Sequence, residues 1–467
     1  MDKNKNLTIN IGECLENYSV RVCSWASCRR PPSIRSKEES SYSSSKEGIT
    51  LSEATYTNKL SARHVLVALT GIMITFGCSA LVFSTWSAFQ AVVPEILGVE
   101  RTTWAFYVTV LYLAEAFSAP FIGKLLAKYD IRIVLSVSAV LVGCGFLLIG
   151  FAQSMWAFYV AGVMMGIGEV GLLWLAVPTL CNSWFNKGAG TIIGLSMAFT
   201  GIGGACWLQV FNGCYAAGIS VWTLYIIWGV IALVTSLPFT LFCIRKTPEE
   251  VGCLPYGAPI TESGLPEGIS SAKAFKTPAF YAVFLFAGLI NALTMVAQQF
   301  PTYTKQLEGV PYDALAVGVM MATVMMVAQA VCKVLLGVVA DKNVKVSFVA
   351  AVVTGIGGVL LVWFGTASEI MLYAGAAIYG FFFAACMVLT PCVARKLFGT
   401  REYPQIYASI SMFVNICGAV APTMWAFLGQ MGFPTLFTVA IILLVLVALL
   451  GGFALMNTKK MQAQWTK

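Results

Sequence analysis

Charge is scarce in this chain: 11% of its 467 residues are Asp, Glu, Lys or Arg and 58% are hydrophobic, whereas in a soluble domain charged residues approach a quarter. That composition, with a mean hydropathy of +0.80, excludes an ordinary soluble domain and marks a membrane protein. Histidine is scarcer still, at one residue, and none falls within the apolar spans delimited below. Cys14, Cys23 and Cys28 have neither a CxxC spacing nor a neighbouring histidine, which argues against a zinc or haem site. The other cysteines lie mostly in apolar spans, where a thiol behaves as a small hydrophobe. No phosphate-binding glycine loop and no nucleophile with its base can be found, so the chain is not expected to be an enzyme or to need a cofactor. Residues 1–60 lack the apolar core of a cleaved signal and carry the serine patch "SSYSSSK"; a disordered tail is expected there.

What is present is a series of long apolar runs. Twelve are long enough to cross about 30 Å of hydrocarbon as helices: 65–89, 103–123, 133–152, 155–178, 189–211, 221–244, 281–300, 314–337, 344–365, 370–393, 404–428 and 434–456. Between them, lysine and arginine alternate sides. With the amino terminus inside, the cytoplasmic side receives Lys124, Lys128, Arg132, Lys187, Arg245, Lys246, Lys342, Lys345, Arg395, Lys396, Lys459 and Lys460, and the opposite side only Arg101 and Lys305. The positive-inside rule therefore predicts an inner (plasma) membrane protein with both termini cytoplasmic. It also accounts for the formal charge of +8 without nucleic acid, because the basic residues are spread over many loops.

The longest internal polar stretch, "RKTPEEVGCLPYGAPITESGLPEGISSAKAFKTPA", divides the spans into six and six. The expected organisation is a tail (1–60), a first half (61–244), a linker (245–280), a second half (281–456) and a short cytoplasmic tail (457–467). The halves echo one another: "GKLLAKYDIR" follows the second span and "GVVADKNVK" the eighth. An all-α membrane protein of two parallel six-helix repeats is a common plan for secondary transporters, with the substrate held between the repeats.

The repeated loop resembles that of the major facilitator superfamily, which runs glycine, three residues, aspartate, basic residue. Gly337, Asp341 and Lys342 match it; in the first half Gly123 and Lys128 match, but Ala127 stands at the aspartate position, leaving Asp130 and Arg132 as the nearby charges. "TWSAFQAVVPEILG", "NSWFNKGAGTIIGLSMAFTGIGG", "RKTPEEVGCLPYG" and "KLFGTREYPQIYASI" look like the oxalate/formate antiporter family and the related monocarboxylate porters. The resemblance spans residues 62–456. It implies a monomer that moves a small organic anion across the bilayer by alternating access, with a proton or counter-anion as coupling partner and these loops as cytoplasmic gates.

Lys333, in "QAVCKVLLGVVADKN", is the charge that most needs a reason, because a cation within the bilayer costs roughly 2.5–3.5 kcal/mol. The resemblance gives it the substrate carboxylate; the alternative is a lysine snorkelling to the nearby surface. The eleventh span, "YPQIYASISMFVNICGAVAPTMWAFL", has no second cation, which suits a monoanion better than a dianion. Glu115 and Glu169 are the intramembrane acids. Glu169 is a candidate either for proton coupling or for pairing with Lys333 across the halves, and Glu115 either for proton coupling or for a neutral hydrogen bond to a neighbouring helix. Trp86, Asn291, Gln298, Gln299 and Tyr379 are further candidates for a pocket wall. Gly194, Gly201 and Gly204 on the fifth span read as close packing, and Thr200 occupies a place where an antiporter motif would continue toward a Gly-Pro pair. Two other readings stay open: a proton-coupled efflux pump for amphipathic compounds using the acids, and a receptor that does not transport.

Overall fold

A computed structural model describes residues 60–257, 267–307 and 309–465; the expected tail and its three cysteines lie outside them. Among the described residues twelve helices are long and apolar enough to cross a membrane: α1 Ala62–Gln90, α2 Thr103–Lys128, α3 Ile131–Ala152, α4 Met155–Trp184, α5 Ala189–Ala216, α6 Val221–Cys243, α7 Pro278–Lys305, α8 Met320–Lys342, α9 Val344–Phe364, α10 Glu369–Phe398, α11 Tyr403–Gln430 and α12 Phe433–Met456. No strand is formed among the described residues beyond two isolated bridges. A helix satisfies all of its own backbone groups, the requirement the hydrocarbon imposes. Side chains turned to the lipid are apolar, Phe121, Phe151 and Ile370 among them.

Packing repeats between the halves. α3 lies on α6 as α9 lies on α12, and α2 on α4 as α8 on α10; the halves meet along two seams, α5 against α8 and α2 against α11. The turns after α2 and α8 are built alike. Asp130 caps α3 by accepting from the Arg132 backbone at 2.9 Å, and Asn343 caps α9 by accepting from the Lys345 backbone at 3.0 Å, each satisfying an amide that the first helical turn leaves unpaired.

α1 starts at Ala62, earlier than the apolar run suggests, because Ser61 and His64 form a reciprocal cap at its N-terminus. The single histidine therefore lies inside the first helix, at its linker end, contrary to the expectation of spans without histidine. Both α1 and α4 contain a π-helical segment, Thr75–Ser79 and Val170–Ala176. Such widened turns are rare and gather at functional sites.

Each end of the linker is fastened to its own half. Tyr256 donates its amide to the Trp184 carbonyl at 2.9 Å, and Trp184 Nε1 donates to the Arg245 carbonyl at 3.0 Å. At the other end the Ile269 amide donates to Phe398 at 3.0 Å and the Thr400 amide to Glu267 at 2.8 Å. The same inter-helix loop of each repeat, α4–α5 and α10–α11, receives the strap.

Candidate functional site

Lys333 sits on the α5–α8 seam with only 1% of its surface exposed. It precedes Lys342, at the end of α8, by nine residues, or about 13 Å at the helical rise. Its Nζ donates to Thr200 Oγ1 on α5 at 2.8 Å, so it reaches across the halves and does not snorkel. Thr200 in turn donates to the Met197 carbonyl at 2.8 Å, leaving a lone pair of its hydroxyl for the ammonium. Among the described residues no carboxylate lies within ion-pair distance of Lys333. Cys386 on α10 is within its electrostatic reach, and the Cys386 thiol donates to Asn291 Oδ1 at 3.4 Å. Asn291 crosses from α7 to α11, donating to the Val414 carbonyl at 2.7 Å.

The two acids form a separate group in the first half. Glu169 is fully buried and accepts from Ser79 Oγ at 2.6 Å and from the Cys78 thiol at 3.7 Å. It therefore does not pair with Lys333; the hydroxyl and thiol come from the π-helical segment of α1, which turns them toward the start of the matching segment in α4. Glu115 is also fully buried, yet neither carboxyl oxygen has a hydrogen-bond partner, nor does the indole N–H of Trp174. The indole of Trp174, on the neighbouring α4, is placed beside the carboxyl as a donor for the expected hydrogen bond, which does not close within hydrogen-bond distance. Trp174 and Glu169 are the polar neighbours of Glu115, and Tyr112 lies within electrostatic reach of both Glu115 and Cys386.

On the linker side the seams close. Asp341 Oδ1 accepts from the Gly190 amide at 2.7 Å, and Oδ2 accepts from the Thr191 amide at 2.7 Å and from Thr191 Oγ1 at 2.6 Å. A carboxylate from the second half thereby caps the N-terminus of α5, where unpaired amides and the helix dipole favour an anion. Below it the backbones touch: a Cβ on Gly337 would lie 2.2 Å from the Gly190 carbonyl oxygen, and one on Gly194 would lie 2.2 Å from that of Lys333. Arg395 adds hydrogen bonds from α10 to Asn182 and Asn186, each at 3.2 Å. The first-half loop differs. Arg132 Nε donates to Asp130 Oδ2 at 3.0 Å and holds that carboxyl below the usual range; Lys128 lies over the Tyr129 ring; and the Ala127 carbonyl accepts from Lys246 at 2.7 Å. Gly123 meets the other half, against Ala408 and the Pro404 carbonyl. Asp130, Arg132 and Lys128 therefore organise their own half, and Lys342 is exposed at the end of α8.

Removing the Asp341 carboxylate should release α5. Asp341→Ala loses a helix cap worth about 2 kcal/mol, roughly a 30-fold shift toward the open linker side. Hydrogen exchange at the Gly190 and Thr191 amides is expected to rise correspondingly; unchanged protection would mean that the cap does not hold the gate.

Two halves of six helices, paired glycine-acid loops and a buried cation between them agree with a family model of the Major Facilitator Superfamily, which matches residues 71–328 and 312–464. The chain belongs to the Major Facilitator Superfamily. It is 24% identical over 359 residues to the uncharacterized MFS-type transporter YhjX of Escherichia coli (strain K12), covering 75% of this chain and 85% of that one. It is 24% identical over 354 residues to the oxalate:formate antiporter of Oxalobacter formigenes, covering 73% and 80%. Its fold is similar to that of the E. coli fucose:proton symporter FucP, with a TM-score of 0.64 at 14% identity over 84% of this chain and 98% of that one. For the human organic anion transporter MFSD10 the TM-score is 0.58 at 15% identity, over 83% and 99%. The chain is thus a multi-pass membrane transporter and not an enzyme.

Other predicted pocket residues of this major facilitator protein are not gathered around Lys333. The Tyr379 hydroxyl is taken up by the Leu293 carbonyl at 2.6 Å, a staple between α10 and α7. Trp86 stacks on Trp104 with the rings 17° from parallel. Gln298 is exposed and donates to Met295 Sδ, and Gln299 is half-buried in the same short turn. Conversely, a polar stripe on α11 went unpredicted. Ser411 Oγ and both amide atoms of Asn415 are buried without hydrogen-bond partners. α2 and α11 run antiparallel, with Gly123 beside Ala408 and Tyr112 beside Gly418, a register that brings Asn415 level with Glu115. Neutral residues one turn apart are the available sequence signal, and it is a weak one.

Proposed function

We propose that this transporter carries a small organic anion, a monocarboxylate in particular, with the linker side in the cytoplasm of an inner (plasma) membrane and a proton or counter-anion as its coupling partner. The observation that carries the reading is Lys333, a cation buried at the seam whose described hydrogen bond goes to a neutral hydroxyl. An intramembrane charge without a counter-charge is a site for a charged ligand, and the anion supplies what the protein leaves out. The oxalate:formate antiporter relative supports a carboxylate. A single cation whose hydrogen bond goes to the neutral Thr200 hydroxyl favours one carboxylate over two. Uptake of labelled mono- and dicarboxylates into proteoliposomes, with and without a proton gradient, tests this. Accumulation of a monocarboxylate is expected; if no carboxylate moves, the anion assignment fails and proton-driven efflux of amphipathic compounds takes its place.

Glu169 is assigned the proton. Its bonds to Ser79 and Cys78 come from groups able to donate to a carboxylate, and the hydroxyl can equally accept from a protonated acid, so the site can hold either form. Glu169→Gln keeps the shape and is expected to abolish the effect of a proton gradient on uptake while exchange of labelled for unlabelled anion continues. A gradient response equal to wild type would remove Glu169 from the coupling and leave Glu115 as the candidate.

A further inference from the structure

A groove of about 320 Å³ opens on the outside of the bundle between α9 and α12. It arises from two adjacent glycines. At Gly451 a Cβ would lie 2.2 Å from the Phe348 ring, so the helices touch there, whereas at Gly452 nothing lies within 4 Å and the missing side chain leaves a hollow. The walls include Val349, Val353 and Met456, which are 58%, 62% and 74% exposed. On a twelve-span membrane protein such an apolar surface faces acyl chains. Its rim is charged. Lys345, the second residue of α9, lines the groove, is exposed, and has no carboxylate within ion-pair distance among the described residues. Exposed Lys459 and Lys460 follow closely after Met456, where α12 ends.

We propose that this groove binds one anionic phospholipid from the linker-side leaflet, with its phosphate on Lys345 and an acyl chain running over Gly452 between Val349, Val353 and Met456. From Lys345 to Val353 the helix descends about 12 Å, so a headgroup held at the rim has its chain directly over the hollow. Basic pockets between transmembrane helices recognise acidic headgroups in this way. The groove contains no carboxylate to receive the ammonium of a zwitterionic lipid, and that selects for net negative charge.

The test is native mass spectrometry of the full chain purified in mixed phosphatidylglycerol and phosphatidylcholine micelles. One phosphatidylglycerol is expected to survive detergent removal on wild type, with at least a tenfold weaker affinity for Lys345→Glu and for Gly452→Leu, which fills the hollow. Unfolding temperatures of both variants near wild type establish that the fold is kept; should Gly452→Leu fail this check, Lys345→Glu decides alone, being a surface change. Equal retention of the two lipids by wild type, or undiminished phosphatidylglycerol binding by the folded variants, overturns the site.

Discussion

Lys333→Ala is expected to lower carboxylate uptake into proteoliposomes by roughly 100- to 1000-fold while leaving the unfolding temperature unchanged or slightly higher. Truncating one member of a buried, hydrogen-bonded charge pair costs about 2–5 kcal/mol of binding, and about 3–4 kcal/mol corresponds to that loss. On the proposed assignment the other member of the pair would be the transported anion, so the penalty would fall on the substrate complex and not on the fold. In the structure the lysine makes one described hydrogen bond, to Thr200, worth about 1.5–3 kcal/mol because the donor is charged, against a roughly 2.5–3.5 kcal/mol cost of holding a cation in the membrane. Removing it therefore loses about as much as it relieves. Lys333→Arg keeps the charge with a different shape and should retain part of the activity. Uptake at the wild-type rate by Lys333→Ala would end the assignment. A folded Thr200→Val protein with normal affinity would show that the hydroxyl merely parks the ammonium between cycles.

The second large effect is steric. Gly337→Val is expected to abolish transport and to open the linker side, because its Cβ would come within 2.2 Å of the Gly190 carbonyl, a backbone atom that no rotamer change can move aside. Overpacking typically costs 1–3 kcal/mol, occasionally more. Relief by separation of α5 from α8 would break the three Asp341 hydrogen bonds that depend on the same approach. Gly201→Ala is the control on the same seam, since its Cβ would meet the Ala330 methyl at 3.3 Å and the Met326 carbonyl oxygen at an ordinary 3.7 Å, and transport within about twofold of wild type is anticipated. Hydrogen exchange over α5 and uptake in proteoliposomes together read the result. Normal uptake by Gly337→Val would mean that the close approach is incidental to the cycle.

The helices were legible because length and apolar composition are local properties, and the membrane demands both. Their ends were less so: α1 gains its first turn from the Ser61–His64 cap, and α8 continues through Asp341 and Lys342 because the carboxylate is satisfied by α5 and the lysine sits favourably at a helix C-terminus. The site was half legible. A lone charge such as Lys333 announces itself against hydrocarbon, but which group it touches depends on how two distant helices register, and sequence pairing of opposite charges pointed wrongly to Glu169. The true partner, Thr200, stands where the antiporter motif breaks off. Glu169 found Ser79 and Cys78 through π-helical turns that no periodicity announces. On α11 the search for a second cation passed over Ser411 and Asn415, whose importance lies in burial without partners, a property only the packed molecule has.

The two linker-side seams are unequally fastened, and this bears on the order in which they would open. Three charge-assisted bonds hold α5 to α8 at Asp341, whereas at the α2–α11 corner Ala127 replaces the aspartate and Gly123 packs against Ala408 and the Pro404 carbonyl. If the halves part on that side, the less fastened α2–α11 corner is expected to yield first and the Asp341 latch between α5 and α8 last. Lys333, on the seam that would part last, would then be displaced least at the outset, while Glu115 on α2 and Asn415 on α11 draw apart. An anion would then leave by pivoting about its carboxylate, its uncharged end first, and the bulk of that end, more than its charge, would set the rate of release.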